Sequence, residues 1–162
     1  MTAGRAQGDP GRRRAATQPS LFGNDRAGSA LANVDGGSRG NPGPAGYGVR
    51  IERDDGSIFE LKESIGVTTN NVAEYSGLIA ALAWAVAHGV SRLHVRADYD
   101  LLVKQMRGEY RVKSRGLQPL FERARALARQ IGRVTFEHVR REFNADADRL
   151  ANEAMDEAAA ER

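Results

Sequence analysis

The chain has 162 residues, 41% of them apolar, no cysteine and a net charge of +3. That length carries one domain with a core of its own. The lack of cysteine excludes a disulfide framework, a thiolate metal site and a cysteine nucleophile. Five arginines against two aspartates in residues 1–28 account for the whole net charge, so a basic tail precedes a neutral domain. No apolar segment follows the tail arginines as a secretory leader requires. The longest apolar run, Leu78 to Ala87, is too short to span a bilayer. The expectation is a cytoplasmic protein without membrane contact.

Residues 1–28, rich in Gly, Ala, Arg, Pro and Ser, read as a disordered tail ahead of a domain at 29–160. The alternation in "SALANVD" predicts a first strand that ends at Asp35. "GGSRGNPGPAG" follows, with glycine dense enough for main chain to turn sharply or to approach a ligand closely. "YGVRIER" and "SIFELKESIG" are the second and third strands. The Asp55-Gly56 pair between them predicts an antiparallel hairpin. "NVAEYSGLIAALAWAVAHG" has helical spacing, with Val72, Tyr75, Ile79, Leu82 and Val86 on one stripe and Gly89 as the stop. "RLHVRA" is a fourth strand. A short helix over Asp100–Arg107, the loop "GEYRVKSRG", the helix "LQPLFERARALARQI" and a fifth strand "RVTFEHV" come next. The last helix begins near Asp146. The order β-β-β-α-β-α-α-β-α predicts an α/β fold: a five-stranded mixed sheet, antiparallel meander first and parallel strands after, flanked by helices.

Four acids fall at element boundaries: Asp35, Glu74, Asp98 and Asp148. Each also has a local reading. Asp35 suits a turn, Glu74 a capping box with Asn71, Asp98 an N-cap, and Asp146 and Asp148 a helix dipole. Brought together at one sheet edge, they would repel and raise one another's pKa, an arrangement that divalent cations neutralise.

"VDGGSRGNPGPAGYG", "TTNNVAEY", "ADYDLLVKQ" and "REFNADADRLANEAM", in this order and spacing, resemble type I ribonuclease H over residues 30–157. The resemblance implies endonucleolytic hydrolysis of the RNA strand of RNA–DNA hybrids. It implies that the metal-binding catalytic carboxylates are Asp35, Glu74, Asp98 and Asp148, the last preferred to Asp146 because "RLAN" follows it. Two divalent ions can make a nucleophile from water and stabilise the leaving oxyanion, and Mg²⁺ suits an all-carboxylate set, with Mn²⁺ able to substitute. The small residues Gly36, Gly37, Ser38, Arg39 and Gly40 would let main chain reach the minor groove, where the 2′-OH distinguishes RNA from DNA. Asn70 and Asn71 would meet bases or sugars, and Asn41 with Thr69 would hold a DNA phosphate.

The chain departs from the family in places. Tyr99 stands where Ser is frequent, and Arg141 stands near the place of a loop His. Only Arg107, Arg111, Lys113 and Arg115 remain of a basic substrate-binding protrusion, which implies modest, salt-dependent hybrid binding. His88, His94 and His138 read as structural and Trp84 as core. In the tail, Gln18, Leu21 and Phe22 of "QPSLF" resemble the short peptide that docks replication proteins on the sliding clamp. Two alternatives keep parts of this reading: a hybrid-binding module without turnover, and a related metal-dependent DNA nuclease or resolvase.

Overall fold

The computed structural model describes residues 28–161. Gln18, Leu21 and Phe22 lie outside them. The elements are β1 (Ser29–Ser38), β2 (Gly43–Arg53), β3 (Ile58–Thr68), α1 (Asn70–Ala87), β4 (Arg92–Ala97), α2 (Asp100–Met106), α3 (Gln118–Ile131), β5 (Arg133–His138) and α4 (Ala145–Ala160), with a 3₁₀ turn at Arg141–Phe143 before α4. The strands form one sheet in the order β3-β2-β1-β4-β5. β1, β2 and β3 are antiparallel neighbours, and β4 and β5 run parallel to β1. The mixed sheet, the flanking helices and the chain order match the expectation from sequence.

The strands at the front of the chain are longer than their alternation suggests. β1 does not end at Asp35 but continues in register with β2 as far as Ser38 opposite Ala45. What ends near Asp35 is the pairing with β4, whose last partner pair is Val34 and Ala97. Asp35 and Asp98 are therefore the next residues on two adjacent parallel strands. Beyond that point one edge of β1 has no strand beside it.

Helices cover both faces of the sheet. Val49 and Ile51 of β2 and Ala32 and Val34 of β1 pack with Tyr75, Leu78 and Leu82 of α1, and α3 adds Ala124, Leu127 and Ile131 to that core. The buried face of α1 is centred on Glu74, Leu78, Ala81 and Ala85; the stripe read from sequence is partly displaced, with Val72, Ile79 and Val86 only half-buried. Tyr75 is fully buried, and its hydroxyl donates to Gln105 Oε1 at 2.6 Å. On the opposite face α4 packs on β1, β2 and β3. It approaches so closely that a Cβ on Gly48 would lie 2.5 Å from Ala147 O. No helix among the described residues is long and apolar enough to cross a membrane.

Candidate active site

Four elements that meet at one edge of the sheet bring the acids together. Asp35 lies within β1 where its pairing with β4 stops, and Asp98 directly follows β4. Glu74 comes from α1, just past its first turn, and Asp148 from the first turn of α4. Carboxylate oxygens of Asp35, Glu74 and Asp98 all lie within 4.8 Å of one another. Asp148 lies beside the group: its charge helps to raise Asp35, and it lines the same cleft of about 400 Å³. Asp146 is elsewhere, 3.4 Å from Arg50 and 3.9 Å from Arg149. Of the two acids in the first turn of α4, Asp148 is the one that lines the cleft with the other acids.

Local packing explains why Glu74 reaches Asp35. Gly36 follows Asp35 directly, and a Cβ there would lie 2.3 Å from Ala73 O and 2.8 Å from Glu74 N. Main chain of α1 thus rests on main chain of β1, which no side chain permits. At this position the glycine serves helix–strand contact. Gly36 N donates to Asp35 Oδ1 at 2.9 Å, and Arg39 N donates to Pro44 O at 2.8 Å, so these two amides are already engaged within the chain. Gly37, Ser38, Arg39 and Asn70 line the cleft beside the acids. Gly40 sits in the β1–β2 turn with φ +92°.

The capping alternatives for the acids fail on geometry. The N-cap of α1 is Thr69, whose side chain accepts from Val72 N at 3.2 Å; Asn71 lies inside the helix. Glu74 is only 5% exposed, and its Oε1 has no hydrogen-bond partner. A capping box would have satisfied it. The N-cap of α2 is Tyr99, without a side-chain cap bond, so Asp98 does not cap that helix.

Burial is the largest cause of the unusual acidity here. It pushes Asp35 up to about 8; the charges of Asp98 and Asp148 push the same way, and the Gly36 amide opposes them. Glu74 is held well above the ordinary carboxylate range by burial and then by Asp35 and Asp98. Asp98 is raised by burial and by Asp148, against Arg141 and Asn144. Arg141 Nη2 lies 3.2 Å from Asp148 Oδ1, so a cation faces the cluster. A buried, unpartnered carboxylate oxygen within an all-oxygen, multiply negative group fits a hard divalent cation.

Around the acids the remaining expected residues fall as follows. Asn41 Oδ1 accepts from Asn70 N at 3.0 Å, beside the Thr69 cap, so Asn41 and Thr69 stand together at the start of α1. The Tyr99 hydroxyl donates to Asn71 Oδ1. The residue that departs from the family therefore holds one of the candidate substrate contacts. In the loop after α2, Arg107 pairs with Glu109 at 3.2 Å, while Arg111, Lys113 and Arg115 are exposed. His94 lies in β4, 2.6 Å from Thr135 Oγ1 and 2.8 Å from Glu137 Oε1; His88 ends α1, 2.8 Å from Trp84 O; His138 lies 3.9 Å from Asp100. Trp84 is half-buried and stacks on His88 with ring centroids 3.9 Å apart.

Sequence reasoning missed Asn33 and Asn144. Asn144 is 1% exposed; its Nδ2 donates to Val34 O at 2.9 Å and its Oδ1 accepts from Asn33 Nδ2 at 2.9 Å. The pair ties the start of α4, and with it Asp148, to the end of β1. An asparagine inside the apolar alternation of "SALANVD" was the available signal.

Known proteins are similar to this chain in sequence and fold. The sequence model of the family described as reverse transcriptase-like matches residues 33–154. The bifunctional protein Rv2228c of Mycobacterium tuberculosis is 53% identical over 131 residues, 80% of this chain and 36% of that protein. The chain thus spans about a third of that relative. Ribonuclease HI of Halobacterium salinarum is 43% identical over 135 residues, 83% of this chain and 68% of that protein. Among solved structures, the N-terminal RNase H domain of the M. tuberculosis protein superposes with a TM-score of 0.79 at 50% identity, covering 82% of this chain and 97% of that one. LC11-RNase H1 in complex with an RNA/DNA hybrid gives a TM-score of 0.75 at 42% identity, covering 80% and 99%. The sheet order, the carboxylates gathered at its edge and these similarities agree, and the chain belongs to the type I ribonuclease H family.

Proposed function

We propose that the chain is a divalent-metal-dependent endonuclease that hydrolyses the RNA strand of RNA–DNA hybrids. The observation that carries this reading is the group of Asp35, Glu74 and Asp98 oxygens within 4.8 Å, with one buried Glu74 oxygen left without a partner. Solved relatives bind such a hybrid, as the LC11 complex does. In this reading Asp35 and Asp98 are the central ligands, and Glu74 and Asp148 complete two Mg²⁺ sites that also accept Mn²⁺. Such ions supply a water-derived nucleophile and neutralise the leaving oxyanion.

The chain's own groups do the rest. Arg141 orients Asp148 and adds positive charge where the phosphate enters. Ser38, Asn70 and Asn71 meet the 2′-hydroxyls of the RNA strand, with Asn71 held by Tyr99. Asn41 and Thr69, at the positive end of α1, take a phosphate of the DNA strand. No side chain is required as nucleophile.

A substrate panel tests the reading. Wild type with Mg²⁺ should cut the RNA of a hybrid and spare double-stranded DNA and double-stranded RNA. EDTA or Asp148→Asn should stop the cutting. Binding of hybrid without cleavage would make the chain a binding module, and preferential cutting of duplex DNA would make it a DNA nuclease. For the tail, we propose that Gln18, Leu21 and Phe22 dock on the sliding clamp, a reading that rests on the sequence resemblance. Equal clamp binding by the full chain and by Leu21→Ala/Phe22→Ala would refute it.

A further inference from the structure

Among the described residues, α4 covers β1, β2 and β3, and no helix packs on the same face of β4 and β5. Alternate residues of β4 therefore stand open on it: Arg92, His94 and Arg96 are half-exposed, while Leu93, Val95 and Ala97 are buried. With Arg133, Thr135 and Glu137 of β5 they line a groove of about 430 Å³. A second hollow, about 210 Å³, lies between β1 and the start of α4 and is lined by Arg50, Phe143 and again Arg96. Because Arg96 belongs to both, one furrow crosses the open face. It begins at the 3₁₀ turn, whose Arg141 lines the carboxylate cleft, and ends at the far end of β4.

The charges in this furrow are unbalanced. Glu137 is engaged by His94 at 2.8 Å and by Arg96 at 3.1 Å. Glu52 and Asp146 each lie 3.4 Å from Arg50, and Asp146 is 3.9 Å from Arg149. Arg92 and Arg133 have no ion pair among the described residues, although they are direct cross-strand partners. Like charges side by side on one sheet face repel, and an anion between them relieves the cost. At the other end Phe143 is 66% exposed, on a turn that also carries exposed Arg140 and Arg141. A positive track with an aromatic platform is the combination that binds single-stranded nucleic acid.

We propose that this furrow takes a single-stranded extension that continues from the hybrid in the cleft. Arg92 and Arg133 meet its phosphates, and Phe143 stacks on a base. The source of the strand rests on the nuclease reading; the binding itself requires no turnover.

Fluorescence anisotropy of the full chain in EDTA, with blunt hybrids and hybrids bearing extensions of about ten nucleotides, DNA or RNA, at either end, tests this. An extension on at least one end should tighten binding roughly tenfold, and Arg92→Gln/Arg133→Gln should abolish that gain. Phe143→Ala should reduce it by about fivefold. Both variants should melt like wild type, and Arg92→Gln/Arg133→Gln should still cut blunt hybrid with Mg²⁺. Equal affinity of wild type for blunt and extended hybrids would overturn the proposal, as would a gain that survives both variants. Displacement of the extension by a glutamate-rich peptide as readily as by an oligonucleotide of equal charge would overturn it in favour of an acidic protein partner. If wild type fails to cut blunt hybrid, the nuclease reading falls, while the anisotropy comparison still decides this one.

Discussion

Replacing Asp35 with Asn should stabilise the metal-free protein while abolishing cleavage. The Asp35 carboxyl is pushed from 3.8 up to about 8, mostly by burial and next by Asp98 and Asp148. Between these two values the unfolded chain has lost the proton and the folded chain keeps it, so the folded state binds more protons and stability falls as pH rises. By pH 7 the accumulated cost is up to ~4 kcal/mol, at about 1.4 kcal/mol for each pH step. Asn carries no charge and keeps an oxygen for the Gly36 amide, which Asp35 Oδ1 accepts at 2.9 Å. The variant should therefore gain about 2–4 kcal/mol at pH 7 in EDTA, or roughly 5–15 °C in melting temperature. The gain should shrink as pH falls and approach zero only below 3.8, where Asp35 is protonated in both states. Saturating Mg²⁺ should raise the wild type's melting temperature and leave the variant's nearly unmoved. Thermal melts across pH, with and without the ion, read all three effects. A variant less stable than wild type by the same amount at every pH would show that Asp35 is a structural side chain and refute the reasoning.

Gly36→Ala places a methyl 2.3 Å from Ala73 O, so it should cost ~3 kcal/mol or more and strongly reduce cleavage as α1 and Glu74 move away; a melt paired with a cleavage assay measures both. Asn144→Ala leaves Val34 O buried without its donor and should cost about 2–3 kcal/mol in denaturant unfolding, with a fall in kcat as Asp148 loses its tie to β1. Tyr99→Phe removes the hydroxyl that holds Asn71 and should raise KM for hybrid severalfold with little change in kcat, at a stability cost of ~1 kcal/mol.

The parts of the fold that follow local rules were legible. Asp55-Gly56 marked the β2–β3 hairpin, and Gly56 takes φ +88° there. The change from alternating to helical spacing at Asn71 marked α1, whose N-cap is Thr69. The end of β1 was not legible, because Gly36, Gly37 and Ser38 carry no alternation; only the partner strand shows that they pair. Glu74 could not be settled from sequence, since a capping box and a site acid both place Glu near the start of a helix. Burial and the unpartnered Oε1 separate the two. Asn33 and Asn144 stand 111 residues apart and meet only through the topology. The glycines after Asp35 drew attention to the right segment, but at Gly36 the structural demand comes from a helix inside the protein.

The central claim is that Asp35, Glu74, Asp98 and Asp148 hold the ions that drive hydrolysis. Anomalous diffraction from crystals soaked in Mn²⁺ measures this directly. The account predicts manganese peaks in contact with Asp35 that vanish in Asp35→Asn together with activity. Peaks found only elsewhere, in a protein that still cuts hybrid, would contradict it.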